Sequence, residues 1–325
     1  MKIDSSSLYR DIIKRALLIT WHNRFLWIFG FFATFLGLGG MYNFVLKSGW
    51  QTNLLYNQIA NKITTISVSG VLITGNLGKI NILNLFLLFL AIVVVGILAA
   101  FFIWLAVNSF GALIGGAQVF DKKRKVGLVK SFNKSKIYFW PLLGVNLLGK
   151  VLIFLFLALT GGILSLILID NSAVNALIYF LTSLLFVALS LLISFLIIYA
   201  SCFLVLKSKK TLDSIHEAWK LFKRNWVVSI EAAIVLFFIN LIVSIGLAII
   251  LVLLSIPFMV LLLIFYSASA AAMPSIILAL WAAVAIALMI LVGSFFSAFQ
   301  IVAWTLLFDK ISKGNILSKL YRIFR

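Results

Sequence analysis

Acidic residues are nearly missing from this chain. Its 325 residues include 8 Asp and Glu against 27 Lys and Arg. The acids are Asp4, Asp11, Asp121, Asp170, Asp213, Glu217, Glu231 and Asp309, and no two form a carboxylate pair within an apolar run. A metal-dependent or acid–base enzyme would find almost no suitable side chains. The sequence also lacks HExxH, a nucleophile elbow and a P-loop. Cysteine is present once, as Cys202. One thiol excludes an intrachain disulfide and a zinc cluster. Lying inside an apolar run, it reads as a small residue in a helix interface. No cofactor, metal or catalytic residue is expected.

Charge of any kind is scarce, at 11% of residues where a soluble domain carries about 25%. Hydrophobic residues make up 64%, and the mean hydropathy is +1.21. Apolar runs at 25–46, 81–119, 141–169, 174–206 and 232–308 exceed or approach the ~20 residues that cross a hydrocarbon core. The chain reads as one all-α membrane domain over 1–325. The N-terminal MKIDSSSLYRDIIKRALLIT mixes charge through its length and has no small-residue cleavage site, so it is not expected to be a signal peptide.

The net charge of +19 is dispersed in short basic blocks between apolar runs. That is how topology signals are arranged, and anionic lipid headgroups are their default partner. No nucleic-acid-binding fold accompanies the charge, so nucleic acid is not expected. Basic blocks flank the 232–308 run on both sides, which makes its number of crossings even. Four crossings leave almost nothing for turns, so two are expected. Pro257 should end or kink the first. FMVLLLIFY, 258–266, would then be a short helix at the outer face, SASAAAMPS, 267–275, the loop, and the second crossing would start near Ile276. The total is six spanning helices with both termini inside. On this topology 23 of the 27 Lys and Arg lie on the cytoplasmic side. Lys47, Lys62 and Lys79 fall in an outer loop, 47–80, and Lys150 lies within a span.

The stretch WHNRFLWIFGFF, 21–32, has a counterpart in AWKLFKRNWVVSI, 218–230. Aligning Ala16 with Ala218 sets Asn23 on Asn225 without a gap. SFNKSKIYFWPLL, 131–143, is a weaker third copy, with Trp140 in the place of Trp226. The even helices end alike, in VFDKK at 119–123, LFDKI at 307–311 and, more loosely, VLKSKK at 205–210. Three repeats follow, at about 5–120, 126–207 and 211–310, each a cytoplasmic interfacial amphipathic helix and a hairpin of two crossings. Trp21, Asn23, Arg24, Trp140, Asn225 and Trp226 would form interfacial elbows where a surface helix turns into a spanning one. Trp suits the headgroup level because one side of its ring system is apolar and the other hydrogen-bonds. His22 has only His216 for company, in another interfacial segment, and the elbow reading is preferred over a ligand role.

Two ionisable side chains fall inside spans on equivalent helices. Lys150 and Glu231 fit an intramembrane ion pair, but also snorkelling towards the headgroups, or a transport or proton role. Asn108, Gln118, Asn146, Asn175, Asn240 and Gln300 fit hydrogen bonds between helices, or a hydrated path. Small residues recur at four-residue spacing: Gly111 and Gly115, Ser190 and Ser194, Gly293 and Ser297, Ser294 and Ala298. Close helix packing within one chain and a homodimer contact both fit that spacing.

The "AW…KRNW" lead-in, the long hairpin with its "IP" break and the repetition of the unit resemble a broad group of uncharacterised bacterial polytopic membrane proteins. The chain is also similar to the membrane domain attached to some glycerophosphoryl diester phosphodiesterases, best over 211–310 and more loosely over 5–46 and 126–206. Their catalytic domain has no counterpart here, so no activity is implied. The resemblance implies the architecture and a bacterial cytoplasmic-membrane location. The expected role is non-enzymatic, as a scaffold, accessory subunit or lipid-associated factor, with a second copy or another membrane protein as partner. The runner-up is a small transporter with a path between repeats.

Overall fold

Long apolar runs without charge have one economical backbone solution in lipid, the α-helix, which satisfies every N–H and C=O internally. The computed structural model describes residues 5–36, 82–121, 132–133, 135–167, 173–267 and 273–314. Regular structure among them is entirely helical. In order the helices are α1 (Ser5–His22), α2 (Phe25–Thr34), α3 (Ile82–Asp121), α4 (Phe139–Ile167), α5 (Ala173–Lys207), α6 (Thr211–Arg224), α7 (Trp226–Ser267) and α8 (Met273–Ser312). Five of them, α3, α4, α5, α7 and α8, are long and apolar enough to cross a membrane. Of the expected first crossing, the structure describes the ten-residue apolar α2. The expected outer loop, 47–80, the 170–172 connection and the start of the second lead-in lie outside the described residues.

Proline placement separates what the sequence expects from what the chain does. Pro274 and Pro141 sit in the first turns of α8 and α4, where a missing N–H costs nothing. Pro257 sits in the interior of α7, and here the expectation is corrected. The helix does not end at Pro257, and 258–266 is not a separate surface helix; α7 continues to Ser267. Local adjustment lets spanning helices carry proline at tolerable cost, because no competing water stabilises a broken helix. At 1.5 Å per residue the 42 residues of α7 extend about 63 Å, twice the ~30 Å of hydrocarbon.

The packed core lies at one end. Buried side chains fall in the C-terminal halves of α3 (Ala106 to Ala117), α5 (Ile193 to Val205) and α8 (Phe296 to Ile311), and near the starts of α4 and α7. Phe110, Leu113, Tyr199, Leu204, Phe296 and Phe308 are among the largest fully enclosed. The opposite halves are apolar and exposed, as at Phe89, Ile92, Val95, Ile97 and Phe101 on α3 and Phe237, Ile242, Ile245, Ile249 and Val252 on α7. A helix apolar on every side belongs in lipid or a protein core. Among the described residues the exposed halves have no core around them.

At the packed end α3, α5 and α8 touch one another, α2 sits against α3 and α8, α4 against α5, and α7 against α8. Small residues permit these approaches. A Cβ added at Gly30 would lie 2.1 Å from the Ser294 carbonyl oxygen and 3.0 Å from Ala298 Cβ. One added at Gly111 would lie 2.8 Å from Leu142, and one at Gly149 2.2 Å from Ile197. Of the small-residue positions in the sequence, Ser294, Ala298 and Gly111 thus serve packing within the chain.

Candidate functional site

The two short helices dock lengthwise on long ones. Trp21 of α1 meets Phe295 edge-on at 5.8 Å, while Tyr9, Ile12 and Ile13 share a small apolar cavity with Ala303 and Leu307. α1 therefore follows α8 for about 18 Å. Ile12, Ala16 and Thr20, four residues apart, form its buried stripe, and Arg10, Lys14, Leu17, Leu18 and His22 face outward. α6 folds back along α5 after a three-residue turn, Ser208 to Lys210, with Phe222 stacked on Phe195 at 5.5 Å. Ser214, Ala218 and Leu221 are buried; Lys220, Lys223 and Arg224 are exposed.

Each helix ends at an asparagine. The Asn23 amide donates to the Ile19 carbonyl at 2.8 Å, and the Asn225 amide to the Leu221 carbonyl at 3.2 Å. In both places the side-chain amide shares that carbonyl with the backbone N–H of the same asparagine, so the last turn is held by two donors on one oxygen. At the first elbow the Trp27 indole also donates to the Thr20 carbonyl at 2.9 Å. Arg24 continues the turn into α2 with helical φ and ψ. At the second, Ser229 Oγ is 2.8 Å from the Tyr199 hydroxyl of α5, and both groups are buried. In the third segment Ser135 donates to the Asn108 carbonyl of α3 at 2.8 Å. Trp21, Trp140 and Trp226 are 57%, 76% and 54% exposed, so all three elbows present an indole outward.

Among the described residues Lys150 makes no ion pair. One partner of Glu231 is a residue the sequence reading missed: Tyr9 of α1 donates to its carboxylate. Burial first, then the Glu231 carboxylate, holds the Tyr9 phenol well above its ordinary range, so Tyr9 remains a donor. Lys150 is exposed on α4 between Leu147, Leu148, Val151 and Leu152, which are exposed as well. The polar residues of the spans mostly bond within their own helices. Asn108 donates to the Trp104 carbonyl and Asn146 to that of Leu142. Asn108 Oδ1, Ser109 Oγ, Asn240 Oδ1, Ser297 Oγ and Gln300 Oε1 are buried without a partner among the described residues.

A second feature escaped the sequence reading. The end of α5, one face of α6 and the end of α8 enclose an open cavity of about 330 Å3. Phe203, Lys207, Lys209, Glu217, Lys220, Leu221, Arg224 and Ser312 line it. Positions 217, 220, 221 and 224 are spaced three and four apart and share a helix face, which was the available signal. Lys209 pairs with Glu217 at 3.3 Å, and that contact holds the Glu217 carboxyl below its ordinary range. Lys207 Nζ lies 5.0 Å from the centre of the Phe203 ring and 5.8 Å from that of Phe308.

Five long apolar helices, with lipid-compatible surfaces at one end and a basic rim at the other, define the class: a helical integral membrane protein. No family model matches the chain, and neither a curated protein nor a solved structure does.

Proposed function

We propose that this is a multi-pass protein of the bacterial cytoplasmic membrane with a non-enzymatic scaffold, accessory or lipid-associated role. It crosses six times, as three hairpins with both termini in the cytoplasm. The contact pattern supports three repeats. α1 docks on α8, Ser135 of the second lead-in on α3, and α6 on α5. Each lead-in thus rests on the even helix of the repeat before it, and the cycle closes. The docked helices turn their outward faces and elbow indoles to the headgroups, with Lys and Arg against anionic lipid. The likeness to membrane domains of phosphodiesterases rests on the quoted lead-in and hairpin residues.

The observation that carries the role is the filled junction of α3, α5 and α8. Aromatic and aliphatic side chains occupy the place where a path between repeats would run. A transporter is the second reading, and it is favoured by the unpartnered polar atoms of Asn108 and Ser109 on α3 and of Ser297 and Gln300 on α8. Buried polar groups usually find a partner or a water. Cysteine accessibility separates the two readings. In a Cys202→Ala background, Ser109→Cys and Ser297→Cys are exposed to a small cationic thiol reagent in liposomes, with His22→Cys as the exposed control. A scaffold leaves both positions unreactive. Modification approaching the control rate would overturn that role in favour of a hydrated path.

A further inference from the structure

We propose that the cavity between α5, α6 and α8 is a binding site for a phosphomonoester, either the terminal phosphate of a lipid headgroup or free phosphate. This deepens the lipid-associated reading and rests on it. Four cations, Lys207, Lys209, Lys220 and Arg224, face one carboxylate, Glu217, a formal excess of three positive charges. Glu217 engages Lys209. Lys207, Lys220 and Arg224 make no ion pair among the described residues. Converging cations repel one another, and that repulsion is relieved by an anion with more than one charge. A phosphomonoester carries −1.5 to −2 near neutral pH, with three acceptor oxygens. Arg224 supplies a planar fork for two of them, and the lysines act as point charges. The cavity is at the lower end of the ~300–1,000 Å3 range of small-molecule sites.

Two features prepare the site. The rings of Phe203 and Phe308 face the Lys207 ammonium, and Phe203 also faces that of Lys209 at 5.6 Å. They attract the cations without neutralising them. On α6 and at the start of α7, Trp219 and Trp226 are 38% and 54% exposed. Indoles at that depth mark the headgroup level, where a lipid phosphate would arrive.

Native mass spectrometry of the full chain in mild detergent tests this, with phosphatidic acid, phosphatidylglycerol and phosphatidylcholine as probes. Inorganic phosphate is titrated separately by calorimetry. The parent is expected to retain phosphatidic acid most tightly. Lys207→Gln/Lys220→Gln/Arg224→Gln lowers that affinity about tenfold or more, equivalent to losing one charge-assisted hydrogen bond. The charge-matched control Lys47→Gln/Lys62→Gln/Lys79→Gln, at the lysines expected in the outer loop, leaves it within about twofold. Glu217→Gln frees Lys209 and tightens binding, an outcome that a folding defect cannot imitate. Displacement of phosphatidic acid by inorganic phosphate assigns free phosphate as the source. Retention of the lipid against phosphate assigns the headgroup. Equal losses in the two triple variants, or no binding of either probe, overturn the site. Phosphate binding by a chain that did not enter bilayers would sink the membrane reading and leave the site standing.

Discussion

Gly30→Ala is the most demanding single-atom test of the packing. The new methyl would lie 2.1 Å from the Ser294 carbonyl oxygen and 3.1 Å from the Ala298 backbone nitrogen. An unstrained carbon–oxygen contact needs ~3.3 Å, so α2 must retreat from α8 by about 1.2 Å. The obstacle is backbone, which cannot rotate aside. A gap of 0.5–1 Å already forfeits about a quarter to a half of each dispersion contact along the seam. Overpacking of this kind costs about 1–3 kcal/mol, and the upper end applies. The better helix propensity of alanine returns up to ~1 kcal/mol, leaving about 2 kcal/mol. At about 1.5 °C per kcal/mol, from an unfolding entropy of about 2.1 cal/mol/K per residue over this chain, Tm falls by about 3 °C. Fluorescence-detected size-exclusion after a heat step measures it in detergent. Gly246→Ala is the internal control: its added methyl meets nothing within 4 Å, so Tm should hold or rise. If Gly30→Ala melted at or above the parent temperature, α2 would not be seated on α8 as described.

Gly149→Ala should also lower Tm, but its obstacle is the Cδ1 and Cγ1 of the Ile197 side chain. Ile197→Ala removes both atoms, so the double variant should be more stable than the sum of the two losses implies, by about 0.5 kcal/mol or more. Tyr9→Phe removes a hydrogen bond to Glu231 and should cost about 1.5–3 kcal/mol, with Tyr9→Phe/Glu231→Gln costing less than the two together. Lys150→Met and Glu231→Gln should instead add to within ~0.5 kcal/mol; a coupling larger than that would restore the ion pair that the sequence suggests.

The sequence carries the membrane class because lipid imposes a blunt rule, about twenty uncharged residues per crossing. The elbows are readable for a local reason: Asn23 and Asn225 bond to carbonyls four residues earlier, within reach of sequence spacing. Partnerships between elements are not local. Glu231 has Tyr9 as a partner 222 positions away, and neither the charge nor the span of Lys150 reveals that it faces outward. Pro257 misleads because the rule for proline is calibrated on helices in water. The basic cavity is half legible, since the α6 face at 217, 220, 221 and 224 is visible in the sequence. Its far wall is not, because Lys207 and Ser312 come from helices over a hundred positions apart in the chain.

Everything functional here depends on the basic rim facing the cytoplasm, and impermeant thiol labelling of intact cells addresses that directly. In the Cys202→Ala background, Ala60→Cys should be labelled, while Lys130→Cys and His216→Cys should react only after the membrane is opened. Labelling of positions 130 and 216 in intact cells, with position 60 protected, would turn the molecule over and contradict the topology, the headgroup contacts and the direction from which a phosphate reaches its site.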